Sequence, residues 1–317
     1  MNDERILLSV TGWDPDIWVR ELNRHTPGRE IVLEPDGADD PSIRYAVVWK
    51  QPEGLLSNLP RLKAIFSLGA GVDHVFKDTT LPDVPIARIV SPDLTARMSE
   101  YVVWRVLDHH RFGPLYRSQQ DARIWNELRD QASADEVTVG IMGLGELGRD
   151  SANKLKALGF EITGWSRRPQ RVEGVTCYTG QEGFGDFLAS ANIFVVLLPL
   201  TGETRGILNL DTIRRMTRRD HFGAPVLINA GRGGLQVETD ILTALDEGLL
   251  SAVSLDVFET EPLAEESPLW AHAKVTITPH AAAASSPKKL AGPIVAQMKA
   301  CDRGEPLTNL VDKDAGY

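Results

Sequence analysis

Three short segments in the last third of the chain carry side chains suited to acid–base chemistry. Residues 229–234 (NAGRGG) place Arg232 between glycines, residues 256–262 hold several carboxylates including Glu261, and residues 278–281 contain His280. Each follows an apolar stretch that predicts a buried strand. Taken alone, the histidine could be structural and the carboxylates a solvated loop. The ordered set of Arg, Glu and His at successive strand ends favours a catalytic site, because arginine can bind an anion and histidine can transfer a proton.

A glycine-rich segment lies in the middle of the chain, at residues 143–148 (GLGELG), between a predicted strand and a predicted helix. This context gives a GxGxxG pattern its meaning as a dinucleotide site, because the helix N-terminus offers free N–H groups to phosphates. Gly143 permits the tight turn, Gly145 lets the backbone approach a pyrophosphate, and Gly148 allows the helix to pack closely. A glycine-rich turn without a ligand is the alternative, which the context disfavours.

The end of the next strand is where a dinucleotide fold places the residue that selects between NAD and NADP. Ser166, Arg167 and Arg168 stand there, and no carboxylate does. Without a carboxylate a 2′-phosphate meets no repulsion, and either arginine can form charge-assisted hydrogen bonds to it. We therefore predict NADP(H) in preference to NAD(H), with NAD(H) used less efficiently. Two solvated surface arginines are the alternative interpretation.

The elements that must position these residues alternate between strands and helices, which predicts parallel sheets covered on both faces. A chain of 317 residues is also too long for one ordinary core. The predicted elements are strands at 6–10, 45–49 and 62–67, helices at 14–24 and 96–110, a second series of strands from 137 to 279, and a last helix at 285–301. We therefore predict an α/β protein with two doubly wound domains. His109 and His110 are interpreted as ordinary positions near a helix end.

Composition disfavours several classes of protein. The formal net charge of −10 lacks the positive field that attracts nucleic acid. No stretch approaches the roughly 18 apolar residues of a membrane span, and the N-terminus lacks a signal-peptide pattern, so we expect no membrane association and a cytoplasmic protein. Cys177 and Cys301 have no companions at metal-ligand spacing, which predicts free thiols and no metal site.

Together these motifs resemble those of the D-isomer-specific 2-hydroxyacid dehydrogenases. The likeness spans nearly the whole chain and rests on SLGAGVDH (67–74), MGLGELG (142–148), WSRR (165–168), NAGRGG (229–234), SLDVFETEPL (254–263), SPLW (267–270), VTITPHAA (275–282) and VDKDAGY (311–317). The resemblance implies two Rossmann-like domains: a flavodoxin-like substrate domain at 1–96 and 285–317, and an inserted dinucleotide-binding domain at 97–284. The active site is expected in the cleft between them. Ser166 departs from the wider family, which has a ribose-binding acid there, and the departure bears on NAD use rather than on the reaction.

Carried over residue by residue, the resemblance makes Arg232, Glu261 and His280 the catalytic group. Arg232 would bind and polarise the keto acid, His280 would donate a proton as general acid, and Glu261 would orient the imidazole. The implied substrate contacts are Trp49, Ala70, Gly71, Arg232 and His280. Trp49 is equally well explained as a core residue. The implied cofactor contacts are Gly143, Gly145, Glu146, Leu147, Gly148, Ser166, Arg167, Arg168, Leu198, Pro199, Thr204, Ala230 and Asp256.

The activity that the resemblance implies is NADPH-dependent reduction of a small 2-keto acid, glyoxylate to glycolate or hydroxypyruvate to D-glycerate. Reduction of another 2-keto acid, such as pyruvate or a phenylpyruvate-type compound, is a related alternative. A dinucleotide-sensing protein of the corepressor type is an alternative of a different class, which the complete Arg–Glu–His set disfavours. The resemblance also implies a homodimer formed through the cofactor domains and the helix near residues 97–111.

Overall fold

The computed structural model describes residues 4–34, 36–37, 39–218 and 220–313. The chain divides into two compact units: unit 1 is Met1–Leu94 with Ser285–Tyr317, and unit 2 is Thr95–Ala284. Each unit contains one parallel β-sheet with helices. The prediction of two doubly wound α/β domains is therefore confirmed. The last four residues of the VDKDAGY motif lie outside the described residues.

Unit 1 contains a five-stranded parallel sheet in the order β2-β1-β3-β4-β5, which is the flavodoxin-like strand order. Its elements are β1 (Arg5–Val10), α1 (Pro15–His25), β2 (Ile31–Leu33), β3 (Ile43–Trp49), β4 (Ala64–Ser67), β5 (Ile86–Ala87) and the C-terminal helix α8 (Pro287–Asp302). Helix α1 begins with the Asp14 side chain accepting a hydrogen bond from the backbone N–H of Asp16. That carboxylate satisfies one of the free N–H groups at the helix N-terminus.

Unit 2 contains a seven-stranded parallel sheet in the order β12-β11-β10-β9-β6-β7-β8. The first strands lie at the centre and later ones extend to both sides, as in a dinucleotide-binding fold. Its strands are β6 (Thr138–Met142), β7 (Glu161–Ser166), β8 (Thr176–Thr179), β9 (Ile193–Val196), β10 (Val226–Asn229), β11 (Ala252–Leu255) and β12 (Val275–Ile277). Its helices are α3 (Gly113–Asp121), α4 (Glu146–Ala157), α5 (Gly180–Ser190), α6 (Leu210–Arg214) and α7 (Glu238–Asp246), and helix α2 (Pro92–His110) leads into it from unit 1.

The carboxyl ends of the central strands of unit 2 are level with one another. Met142 pairs with Trp165 on one side and with Val196 on the other. Asn229 pairs with Val196 and with Leu255, and Leu255 pairs with Ile277. Side chains that follow these strands therefore emerge along one edge of the sheet, where α/β proteins bind their ligands.

Both faces of the unit 2 sheet are buried, because alternate residues of each strand enter two different cores. On β9, Phe194 and Val196 belong to one apolar cluster and Ile193 and Val195 to the other. A strand buried on both faces reads as a continuous apolar run, which is how these strands were predicted. In unit 1, Leu7, Ile43, Ile65 and other residues form a separate core.

Several element boundaries differ from the predicted ones, each for a local reason. The strand predicted at 62–67 begins at Ala64, because the Leu62 N–H bonds to the Leu59 carbonyl in a preceding turn. Helix α2 begins four residues early, at Pro92, since proline needs no hydrogen-bond partner in the first turn. The last helix runs from Pro287 to Asp302. Among the helices in the described ranges, none is both long and apolar enough to cross a membrane.

Candidate active site

The turn between β6 and α4 has the geometry that a pyrophosphate requires. Gly143 has a φ of +107°, a conformation that glycine adopts without strain. A Cβ atom on Gly148 would lie 1.9 Å from the Gly143 carbonyl oxygen, so only glycine lets α4 pack this closely. A Cβ at Gly145, by contrast, would meet no atom within 4 Å, which leaves room for a ligand beside the backbone. Helix α4 begins at Glu146, followed by half-buried Leu147, and directs its free N–H groups to this turn.

The end of β7 carries the three residues predicted to select the cofactor. Ser166 is half-buried and donates a hydrogen bond to the Arg168 carbonyl at 2.7 Å, while Arg167 and Arg168 are exposed. Arg167 also forms an ion pair at 3.1 Å with Glu203, whose side chain is 72% exposed. Two exposed cations at a strand end without a carboxylate fit a dinucleotide that carries an additional phosphate on its ribose.

Four further predicted cofactor residues follow β9 and β10, the strands that continue the same edge. Leu198 and Ala230 are buried and Pro199 is half-buried. The Thr204 hydroxyl donates to the Pro199 carbonyl at 2.7 Å and accepts from the Thr201 N–H at 2.8 Å, which closes the loop after β9. These four residues therefore lie on loops that begin at the same level as the glycine-rich turn.

His280 and Glu261, from loops after different strands, form a hydrogen-bonded pair. The His280 Nδ1 lies 2.9 Å from one Glu261 carboxylate oxygen and 3.1 Å from the other. The Glu261 carboxylate is itself held by the Phe258 N–H at 3.2 Å. Because a carboxylate can only accept, Nδ1 carries the hydrogen, and Nε2 is the nitrogen left for a substrate. The imidazole is 34% exposed, so a ligand can reach it.

Asp256, immediately after β11, is fully buried beneath the His280 turn. Its carboxylate accepts hydrogen bonds from the Thr278 hydroxyl at 2.6 Å, the Ala281 N–H at 2.9 Å and the Ala282 N–H at 3.0 Å. Burial raises the pKa of the Asp256 carboxyl above its ordinary value, and these hydrogen bonds oppose the rise. Asp256 thus holds the backbone turn that carries His280.

Arg232 stands on the tight turn after β10, and buried amides fix that turn. Asn229 accepts from the Gly231 N–H at 3.0 Å and donates both to the Arg232 carbonyl at 3.1 Å and to Gln236 at 2.8 Å. Gln236 in turn donates to the Val257 carbonyl at 3.0 Å. The arginine turn is therefore tied to the loop that leads to Glu261. A Cβ on Gly233 would lie 1.9 Å from the Phe258 carbonyl, so the two loops are also in direct contact.

In unit 1, the predicted substrate residues cluster at the carboxyl ends of β3 and β4. Trp49, the last residue of β3, is half-buried and stacks on Trp13 with ring centroids 4.8 Å apart. It also bounds the turn that contains Ala70 and Gly71, because a Cβ on Gly69 would lie 2.6 Å from its ring. Trp49 therefore lies at the carboxyl-end edge of the unit 1 sheet and is not part of the central core.

Sequence reasoning missed the polar residues that hold these loops, namely Asn229, Gln236, Thr278 and Tyr101. Asn229 and Thr278 stand within motifs noted in the sequence, and a polar residue at the end of an apolar strand was the available signal. His109 is also more than an ordinary helix-end position, because it is buried and lies 2.8 Å from the Ser254 hydroxyl of β11. In the described part of the chain, no three His, Cys, Asp or Glu side chains form a group that could hold a metal ion.

Comparison with known proteins accounts for this arrangement. The sequence model for the D-isomer specific 2-hydroxyacid dehydrogenase, NAD binding domain, matches residues 103–282. Glyoxylate/hydroxypyruvate reductase A from Serratia proteamaculans is 38% identical over 306 residues, which cover 95% of this chain and 96% of the relative. The chain is a D-isomer specific 2-hydroxyacid dehydrogenase. It is therefore an enzyme of the oxidoreductase class, and the predicted family is confirmed.

Solved structures of other D-isomer specific 2-hydroxyacid dehydrogenases share the whole fold. The NADPH-dependent glyoxylate/hydroxypyruvate reductase of Sinorhizobium meliloti, solved with NADP and sulfate, has a TM-score of 0.94, 45% identity, and coverage of 99% of this chain and 100% of its own. The enzyme of Xanthobacter autotrophicus Py2, solved with NADPH and MES, has a TM-score of 0.93, 37% identity, and 99% coverage of both chains.

Proposed function

We propose that this enzyme reduces glyoxylate and hydroxypyruvate with NADPH. The observation that carries the proposal is the His280–Glu261 pair, 2.9 Å apart, on the same level sheet edge as the glycine-rich turn. The arrangement offers a proton donor beside a dinucleotide site, as reduction of a carbonyl requires. The names of the relatives, glyoxylate/hydroxypyruvate reductases from several bacteria, support this substrate class.

Each catalytic residue has a distinct task in the proposed reaction. Arg232 binds the substrate carboxylate and the adjacent carbonyl oxygen as a planar fork, which polarises the carbonyl. When bound, the reduced nicotinamide supplies the hydride that reaches C2. His280 donates its Nε2 proton to the carbonyl oxygen, and Glu261 holds the ring through Nδ1 and stabilises the positive charge of the imidazolium before transfer. The products are a 2-hydroxy acid and a neutral histidine, which regains its proton from solvent.

The proposed cofactor site consists of unit 2 residues alone. Gly143, Gly145 and Gly148, with the N-terminus of α4, would hold the pyrophosphate, and Arg167 with Arg168 would hold the 2′-phosphate. Asp256 is fully buried, so it would support the site by holding the backbone N–H groups of Ala281 and Ala282 rather than by contacting the nicotinamide itself. NADP and NADPH in the structures of relatives support the choice of cofactor. NAD(H) would bind with lower efficiency, because it offers the arginines no second phosphate.

The two units take different roles in the proposal. We assign residues 1–96 and 285–317 to substrate binding, with Trp49 and the N–H groups of Ala70 and Gly71 as contacts. Residues 97–284 form the cofactor domain. The assignment is supported by the glycine turn of unit 2 and by the aromatic and glycine surface of unit 1.

A homodimer formed through helix α2 is part of the proposal. The support is two exposed tryptophans: Trp104 on α2 is 52% exposed, and the Trp125 side chain, a few residues after α3, is fully exposed. Light scattering should give about twice the chain mass, and Trp104→Glu should lower it. A monomeric wild-type protein would contradict the dimer.

Cytoplasmic location is supported by the free thiols of Cys177 and Cys301, which suit a reducing compartment.

The decisive experiment follows the loss of nicotinamide absorbance with NADPH and either glyoxylate, hydroxypyruvate or pyruvate, repeated with NADH. We expect fast turnover of the first two acids with NADPH and slower turnover with NADH. Tight NADPH binding without turnover of any keto acid would contradict the proposal and favour a dinucleotide sensor. Fast turnover of pyruvate alone would replace the substrate and leave the reaction unchanged.

A further inference from the structure

A chain of hydroxyl groups runs from helix α2 to the turn that carries His280. The Tyr101 hydroxyl lies 2.8 Å from the Thr278 hydroxyl, which donates to the Asp256 carboxylate at 2.6 Å. Threonine has a single hydroxyl hydrogen, and Thr278 donates it in the hydrogen bond to the Asp256 carboxylate. Tyr101 must therefore be the donor to the Thr278 oxygen, which orients every hydrogen in the chain. Both ends are enclosed, since Tyr101 is 6% exposed and Asp256 is fully buried.

Asp256 is the point at which this chain meets the catalytic turn. Its backbone carbonyl accepts the His280 N–H at 2.7 Å, and its carboxylate oxygens accept the N–H groups of Ala281 and Ala282. One residue thus holds three consecutive backbone donors. The arrangement is a backbone clamp on residues 280–282, made by Asp256 and oriented by Thr278 and Tyr101.

His280 needs such a clamp because its backbone is in an unfavourable conformation. Its φ is +52°, in the left-handed region that residues other than glycine seldom adopt. Conformations of this kind persist at functional sites only when the surrounding structure enforces them. Here the enforced conformation brings Nδ1 of the imidazole to 2.9 Å from Glu261.

We propose that Tyr101 and Thr278 are positioning residues for the catalytic histidine. By orienting the Asp256 carboxylate they keep the His280 turn in its left-handed conformation and the imidazole against Glu261. Neither residue touches the reacting atoms in this role. The inference rests on the proposed function, because His280 must be the proton donor for its placement to govern turnover.

The test compares substitutions that remove one hydroxyl at a time. Thr278→Val keeps the branched shape and removes a hydrogen bond to a charged group, so kcat for keto-acid reduction should fall by about 10- to 100-fold. Tyr101→Phe removes a bond between neutral groups, so kcat should fall by about 2- to 10-fold. In both variants the KM for NADPH should stay within about twofold of wild type, because the phosphate contacts are unchanged. Thr278→Ser restores the hydroxyl and should restore kcat to near the wild-type value.

Two matched controls separate positioning from general damage. Thr276→Val, on the same edge strand, and Tyr178→Phe, on β8, change hydroxyls for which the structure gives no hydrogen bond, and both should keep wild-type kcat.

The second readout is a double variant. Once His280 has been replaced by alanine, adding Thr278→Val should cause no further loss, because the placement of an absent imidazole cannot matter.

The outcomes distinguish this inference from the proposed function. If wild-type enzyme reduces no keto acid, the proposed function fails first. If wild type is active and both Thr278→Val and Tyr101→Phe keep its kcat, the positioning role is overturned. It is also overturned if Thr278→Val lowers the kcat of the His280→Ala variant as much as it lowers that of wild type. Should Thr278→Val fail to fold, Tyr101→Phe carries the test, in the wild type and in the His280→Ala variant.

Discussion

The two halves of the unit 2 sheet use the same strand edge in different ways. At β6 and β7 the edge offers a glycine turn and the exposed side chains of Arg167 and Arg168. At β10, β11 and β12 the edge rests on the buried polar residues Asn229, Gln236 and Asp256 and on half-buried Thr278, which hydrogen-bond the turns of Arg232 and His280 or one another. After their proposed roles we call the part at β6 and β7 the cofactor half and the part at β10, β11 and β12 the catalytic half. The cofactor half presents charged side chains to solvent, whereas the catalytic half holds its charged side chains on turns that buried residues hydrogen-bond.

This difference indicates what each half can tolerate. Exposed ion pairs contribute little to stability, so the residues that select the cofactor can change at small cost to the fold. A buried polar network loses more when one member is removed, because its partner is left without a hydrogen bond in a place that water does not reach. We therefore expect substitutions in the catalytic half to have larger and less separable effects than those in the cofactor half.

The largest effect is expected at His280, the proposed proton donor of the catalytic half. His280→Ala should lower kcat for glyoxylate reduction by roughly 10²- to 10⁴-fold, the usual contribution of a general acid. NADPH binding, measured by fluorescence titration, should remain within a few-fold of wild type. Near-normal turnover in this variant would remove His280 from the mechanism.

A second effect concerns the acid stability of the catalytic half. Burial lowers the pKa of His109 from 6.5 to about 4, and the imidazole hydrogen-bonds to Ser254 on β11. Between these two pH values the unfolded chain binds a proton that the folded protein does not, so stability falls as the pH drops from about 6.5 to about 4. The loss is of the order of 3 kcal/mol, at 1.36 kcal/mol per pKa unit.

Urea unfolding at several pH values measures this contribution. His109→Gln should show a shallower loss of stability than wild type between pH 6.5 and 4, and the difference between the two proteins should be constant above pH 7.5. Parallel curves for the two proteins over the acid range would show that His109 does not bind the additional proton.

A smaller effect is expected in the cofactor half. Replacing both Arg167 and Arg168 by glutamine should lower kcat/KM for NADPH by about 10- to 100-fold, which corresponds to the loss of one charge-assisted hydrogen bond of about 1.5–3 kcal/mol in total, because both side chains are exposed. The value for NADH should change little. The melting temperature should also stay close to that of wild type, because both side chains are exposed. Equal losses with NADPH and NADH would contradict a role in binding the 2′-phosphate.

The smallest effect is expected at Glu203, which forms an ion pair with Arg167 at 3.1 Å. Glu203→Gln removes a group that competes with the 2′-phosphate for that arginine. Exposed pairs are worth about 0.2–1 kcal/mol, so the KM for NADPH should fall by no more than about fivefold. An increase in the KM would mean that Glu203 aids binding rather than competing with it.

Sequence predicted those parts of the molecule that local patterns encode. Apolar runs identified six of the seven strands of unit 2, all but β8, and the glycine spacing identified the dinucleotide turn. The family resemblance, rather than a local pattern, paired Glu261 with His280, and these two side chains lie 2.9 Å apart. Short edge strands such as β2 and β5 were missed, because three or two residues carry too little pattern. The prediction of two α/β domains held because every level of the pattern agreed with it.

The hydrogen bonds that hold the turns of Arg232 and His280 could not be predicted, because they join distant parts of the chain. Tyr101 and Thr278 are 177 residues apart and meet only through the tertiary fold. His109 likewise lies 145 residues from Ser254. On helix α2, Tyr101 and His109 occupy positions that helical periodicity assigns to a buried face. Periodicity does not indicate which polar group of another element each of them contacts.

The level strand ends of unit 2 limit where relatives of this chain can gain or lose residues. A strand advances about 3.3 Å per residue, so two residues inserted within β11 would displace Glu261 from the His280 imidazole by about 7 Å. That distance is more than twice the reach of a hydrogen bond. An insertion beyond Glu261, in the exposed stretch at 264–266, leaves the pair untouched. The length of β11 is thus constrained by the distance between Glu261 and His280, while the length of the loop beyond Glu261 can vary without disturbing that distance.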